Sequence, residues 1–158
     1  MIIKIHPDKQ KSNSLKKMAE ITLERLRQTD TKKYPTNTLN DYYDVIHKLM
    51  EALGLFNGIK TKGEGAHQEL IDYISKQYNF DEQDRQFLQQ MRVYRNRISY
   101  DGFMIHKNYI TLNQEKIKKI IKKLKAITED YSLIIARKAV KNAEYSGRKS
   151  VKIEDIEE

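Results

Sequence analysis

Apolar residues recur along this chain at spacings of three and four, a periodicity that suits amphipathic helices and little else. The clearest stripe is Leu39, Tyr42, Tyr43, Ile46, Leu49, Met50 and Leu53, with Thr38 or Asn37 placed to cap it and Gly58 to stop it. Before it, Leu15, Met18, Ala19 and Leu26 predict a helix over about Ser14 to Gln28. Lys32, Lys33 and Pro35 then read as a loop, because proline disfavours helical geometry at Tyr34. Ala66, Leu70, Tyr73, Ile74 and Tyr78 mark a third helix from about Glu64 to Gln77, ended by Asn79. Asp81 caps a fourth, with Phe87, Leu88, Met91, Tyr94 and Ile98 inward and Asp101-Gly102 as its stop. Thr111-Leu112-Asn113-Gln114 fits a capping box ahead of Ile117, Ile120, Ile121, Leu124 and Ile127.

The fold class that follows is all-α: an up-and-down bundle of four to five helices with a C-terminal helical extension. With 6 Gly and 2 Pro in 158 residues, the tight turns of a sandwich or barrel are missing. Periodicity restarts with Tyr131, Ile134, Ile135, Ala139 and Val140 and breaks at Gly147, so residues 1–127 are expected to form the bundle and 128–158 the extension. The stretch GIKTKGEG, Gly58 to Gly65, is not a phosphate-binding P-loop, since Gly63 is followed by Glu64 rather than by Lys and a hydroxyl residue. It reads as a flexible connection between helices.

Composition narrows the chemistry. The formal charge of +8 and sequence pI of about 9.4 favour phosphate-rich or otherwise acidic partners. With no cysteine, thiolate metal sites and cysteine nucleophiles are excluded, and His6, His47, His67 and His106 never stand four apart as a helical metal pair does. No metal and no cofactor are expected. The start, Met1-Ile2-Ile3-Lys4, lacks a signal peptide's apolar core, and no stretch approaches the ~18 apolar residues of a membrane span, so a soluble, cytoplasmic protein without membrane association is expected.

The fourth helix is the most informative segment. Arg95 shares a face with Leu88, Met91 and Ile98, which puts a guanidinium on or beside a buried stripe. Such a charge must be satisfied by a carboxylate, such as Asp44, Glu51 or Asp101, by a carbonyl, or by a bound phosphate. Arg92, Arg95 and Arg97 interleave with Tyr94 and Tyr100, a mixture suited to phosphate pairing and base stacking on single-stranded RNA. Equally, Tyr94 can pack in the core while Arg92 and Arg97 face solvent or a partner.

Arg95-Asn96-Arg97-Ile98-Ser99-Tyr100, together with the tyrosine-bearing run YYDVIHKLMEALGLFNGIKTKGEGAHQELIDYI, resembles the HEPN superfamily over roughly residues 10–127. The resemblance implies a small helical bundle, a two-fold homodimer with Arg95 near its seam, and a metal-independent attack of an RNA 2′-hydroxyl on the adjacent phosphate. It also implies catalytic roles for Arg95, for Asn96 as the neighbouring polar residue, and for Tyr100, which stands where the family has a proton-shuttling histidine. A phenol titrates near pH ~10 rather than ~6.5, so catalysis is expected to be weakened. The expected function is RNA or other nucleic-acid binding, in a toxin–antitoxin-like system. The alternatives are an active endoribonuclease using Tyr100 or a spatially recruited histidine, and an interaction module for a nucleotidyltransferase or antitoxin partner. Among the histidines, His106 lies beyond the Asp101-Gly102 break, His67 reads as a capping or core-edge residue, and His47 reads as a helix-surface residue.

Ile135 to Glu158, IARKAVKNAEYSGRKSVKIEDIEE, resembles the C-terminal half of an archaeal histone fold. That resemblance implies that Arg148 and Lys149 are loop contacts to DNA phosphate; the alternatives are a helix-loop that packs on the bundle and an ordinary basic loop.

Overall fold

The computed structural model describes the backbone of residues 1–145 and the side chains of residues 1–130. Arg148 and Lys149, and with them the histone-like loop, lie outside the described residues. The chain divides into two compact units, Met1–Leu124 and Lys125–Glu158. The described residues form five helices and one two-stranded ribbon. They are α1 (Lys9–Arg27), α2 (Pro35–Phe56), α3 (Ala66–Gln77), α4 (Glu82–Asp101) and α5 (Lys107–Tyr145), with β1 (Ile2–Lys4) and β2 (Ile59–Thr61). The all-helical bundle expected from periodicity is present.

Helix α2 is the centre of the first unit. Its anticipated stripe is buried, and so are Val45, Ala52 and Leu55 on its other sides, so neighbours enclose it nearly all round. Helix α1 runs antiparallel along it: the Ser12 hydroxyl donates to the Ala52 carbonyl at 2.8 Å at one end, and Arg25 pairs with Asp41 at 2.6 Å at the other. Helices α3 and α4 are also antiparallel, with Gln89 donating to the Gln68 carbonyl and Arg85 bonded to Asp72 at 2.9 Å. Helix α5 descends alongside α4, where Tyr109 donates to Gln90 and Lys116 faces Asp84. Gln114 of α5 reaches α2 by donating to the Tyr42 hydroxyl at 3.1 Å.

Three local signals resolve differently from the sequence reading. Pro35 is not a loop residue but the first residue of α2, where its missing N–H and fixed φ are no handicap. Tyr34 then takes the cap position with φ −121°, while Thr38 is fully buried in the helix rather than capping it. Helix α5 begins at Lys107, four residues before Thr111, whose hydroxyl donates back to the Lys107 carbonyl. His106 does the work expected of the capping box: its Nδ1 accepts the Asn108 N–H at 3.1 Å. By contrast, Asp81 and Gly102 bound α4 as anticipated, Asp81 accepting the Asp84 N–H and Gly102 adopting φ +65°.

The supposed flexible connection holds a strand. Ile59–Thr61 pairs antiparallel with Ile2–Lys4 in the register Ile2↔Thr61, Ile3↔Lys60 and Lys4↔Ile59, and Ile5 extends the ribbon by donating to the Gly58 carbonyl. Each run is only three residues long, too short for alternation to show in sequence. Gly58 has φ +75°, and a Cβ there would stand 2.9 Å from the Ile5 carbonyl oxygen. Gly63, also left-handed at φ +81°, has open space around it. Both Gly→Ala substitutions incur left-handed strain, but only Gly58→Ala collides with backbone. Urea unfolding is expected to show Gly58→Ala less stable than Gly63→Ala by at least ~1 kcal/mol; equal losses would show that the ribbon gives way without cost.

Candidate anion-binding cleft

Helices α2, α3 and α4 converge on a cleft of about 300 Å³ lined by Tyr43, His47, His67, Arg95 and Ser99, together with Asn40, Asp41 and Asp44. Its residues arrive by helical spacing. Tyr43 and His47 are one turn apart on α2, Arg95 and Ser99 one turn apart on α4, and His67 sits in the first turn of α3. The Arg95 guanidinium carbon stands 6.0 Å from the centre of the Tyr43 ring, and the guanidinium donates to the Asn96 side-chain oxygen at 3.3 Å. Asn96 thus contacts Arg95.

No carboxylate among the described residues pairs with Arg95. Asp44 is bonded to Lys48 at 2.5 Å, Glu51 to His47 at 2.8 Å and Asp41 to Arg25 at 2.6 Å, so the acids in and beside the cleft are already engaged. Asn40, on the cleft wall, has a buried side-chain oxygen with no hydrogen-bond partner. The half-buried cation is therefore left facing a polar space, an arrangement suited to an anion.

Beside it stand two histidines. The His47 and His67 rings stack with centroids 3.9 Å apart and planes within 16°. His47 Nδ1 lies 2.8 Å from a Glu51 carboxylate oxygen, to which it donates its N–H. That hydrogen bond holds the Glu51 carboxyl below its usual range, against the opposing effect of burial. His67 Nδ1 lies 3.2 Å from the Tyr43 hydroxyl. Burial, and after it His47 and Arg95, push the His67 imidazole down to about 4, so it is neutral at pH 7. Burial raises Tyr43 to about 12, with Arg95 and Arg92 opposing, so its phenol stays protonated and can donate to His67.

The remaining sequence candidates are placed elsewhere. Tyr100 is 83 % exposed and does not line the cleft: five residues turn a helix about 140° away from Arg95. Arg92 donates through Nε to Gln89 at 2.7 Å, and Arg97 lies over the Phe103 ring at 4.1 Å. Tyr94 stacks on Phe103 and meets Tyr109 edge-on, a packing role. His106 serves the start of α5. His47, read as a surface residue, is instead stacked and paired, and its i, i+4 relations to Tyr43 and Glu51 were the available sequence signal.

No known family model, characterised protein or solved structure matches the chain. No helix among the described residues is long and apolar enough to cross a membrane, and no acidic, histidine or cysteine cluster among them could hold a metal ion.

The depressed His67 pKa gives a signed prediction. The unfolded imidazole titrates near 6.5 and the folded one near 4, so between these values the unfolded chain binds the extra proton. Stability should fall as pH drops from about 6.5 to about 4 and gain nothing from this residue above that window. Glu51, lowered in the fold, adds its own loss towards the acid end. Thermal melts across this range should show a flatter upper portion for His67→Gln than for the parent; parallel curves would remove His67 as the cause.

Proposed function

We propose that this protein binds single-stranded RNA by seating a phosphate against Arg95, as a catalytically weakened HEPN-like protein in a toxin–antitoxin-like setting. The observation that carries the reading is the half-buried Arg95 guanidinium, unpaired by any described carboxylate, at a cleft whose acids are committed to other cations. Arginine suits the task because its planar fork can grip two phosphate oxygens at once. Tyr43 backs the guanidinium, the Asn96 side-chain oxygen accepts a hydrogen bond from it, and Ser99 offers a hydroxyl on the same wall. The homodimer belongs to the same proposal: Val93 and Tyr100, seven residues apart on α4 and 43 % and 83 % exposed, offer an apolar strip for a second copy.

A second reading, metal-independent RNA cleavage, is favoured by the His47–His67 stack. The rings stand with centroids 3.9 Å apart beside Arg95, and His67, held neutral chiefly by burial, is an imidazole able to accept a proton there. On this reading the histidines of α2 and α3 supply the proton transfer that the exposed Tyr100 cannot.

Labelled oligouridine titrated at about 50 mM and 200 mM salt tests the first reading. Arg95→Ala should weaken binding by roughly 10- to 100-fold, the range of a charge-assisted contact of about 1.5–3 kcal/mol, and Arg95→Lys should recover only part of it. Absence of binding to the parent protein at low salt would end both readings. EDTA-resistant cleavage lost in both Arg95→Ala and His47→Gln would establish the second; binding without cleavage leaves the first.

A further inference from the structure

A second basic surface lies away from the Arg95 cleft. Along α5, Lys116, Lys118, Lys119, Lys122 and Lys123 fall within eight residues. The residues between them, Ile117, Ile120 and Ile121, point inward and are 0 %, 3 % and 4 % exposed. All five lysines line a groove of about 900 Å³ between α5 and the start of α4. The acids on its wall are largely spoken for: Asp81 caps α4 through the Asp84 N–H, and Asp84 faces Lys116 at 4.0 Å, leaving Glu115 against the lysines.

Two of these cations are held in place. Lys116 lies 4.8 Å over the Phe87 ring and Lys123 lies 4.1 Å over the Phe80 ring, two turns apart along the helix. Between them Lys118, Lys119 and Lys122 are exposed, and no described carboxylate lies within ion-pair distance of any of the three. The row Lys116, Lys119, Lys123 advances by about 4.5 Å and then about 6 Å along the axis. Flexible ammonium groups at that interval can follow the phosphates of a nucleotide strand, which recur at about 3.4 Å or more.

We infer that this groove is a sequence-independent binding track for the phosphate backbone of single-stranded nucleic acid, with Lys118, Lys119 and Lys122 as its main contacts. Membrane lipid fits less well, because the groove's apolar lining residue, Ile120, is 3 % exposed, and the exposed Leu112 stands one turn before Lys116, outside the lining. A groove, rather than a flat basic face, matches a single strand laid between two helices. The track does not depend on the Arg95 cleft, since the two share no lining residue.

The test compares the full chain with a triple variant, Lys118→Gln, Lys119→Gln and Lys122→Gln, using a 24-nucleotide oligouridine and, separately, phosphatidylserine–phosphatidylcholine vesicles. Circular dichroism and melting should match the parent, because all three side chains are exposed. Each phosphate neutralised on a single strand contributes about 0.7 to the slope of log affinity against log salt, so the variant's slope should be shallower by about 2, with affinity down on the order of tenfold or more at low salt. The same drop should appear when the triple change is made on Arg95→Ala. An unchanged slope in a folded triple variant overturns the track and leaves the Arg95 cleft standing. Loss of the lysine-dependent slope with Arg95→Ala silent upholds the track and removes the cleft as the RNA site. Vesicle binding without oligouridine binding overturns the inference.

Discussion

The burial of α2 on nearly every side is the constraint from which the rest of the first unit follows. A helix with Leu39, Val45, Ile46, Met50, Ala52 and Leu53 all but inaccessible cannot rest against a single neighbour. It must be sheathed, and α1, α3, α4 and α5 each touch it or close over it. Sheathing determines which polar residues of α2 meet which neighbours. Tyr43 and His47 sit where the casing of α3 and α4 parts, and there they meet His67 and Arg95. The cleft is thus the gap that α3 and α4 leave over α2, and its polar contents are a consequence of that packing.

Electrostatics gives the gap its character. A half-buried cation and two stacked imidazoles in one cavity would be self-defeating if all three were charged, and the fold avoids this by holding His67 neutral. The Glu51 carboxylate steadies His47, and Asp41 and Asp44 are taken up by Arg25 and Lys48. Arg95 is left as the cleft's uncompensated charge. An acid directly opposite it would have closed the site into an internal ion pair, and the engagement of Asp44 and Glu51 elsewhere is what prevents this.

Much of the fold was legible because long amphipathic helices state their faces in sequence: the α2 stripe, the Asp81 cap and the Gly102 stop all stand where periodicity and capping chemistry put them. What was not legible depended on partners distant in the chain. The three-residue strands β1 and β2 have meaning only once paired across more than fifty residues. Pro35 looked like a breaker because proline serves equally well at a loop and at a first helical turn. Arg95 was legible as a charge on an apolar face, whereas its unpaired state required knowing that Lys48 takes Asp44 and His47 takes Glu51. Tyr100 drew notice through its place in a motif, yet helical geometry turns it outward; His47 looked superficial because nothing local foretells that His67 will stack on it.

The two basic features of this chain differ in physical kind, and the difference bears on how each can work. Arg95 is a single guanidinium, half-buried and backed by an aromatic ring, so any anion it takes must fit a cavity and surrender water to reach it. The α5 lysines are strongly hydrated point charges on flexible stems, two of them leaned on phenylalanine rings and three open to solvent. Ammonium groups of that sort attract a polyanion at long range and hold it loosely, with a strength that salt erodes. A cavity selects and a comb gathers. Five lysines in a row on α5 and one half-buried arginine between α2, α3 and α4 occupy surfaces that share no lining residue, so neither has to compromise its geometry for the other.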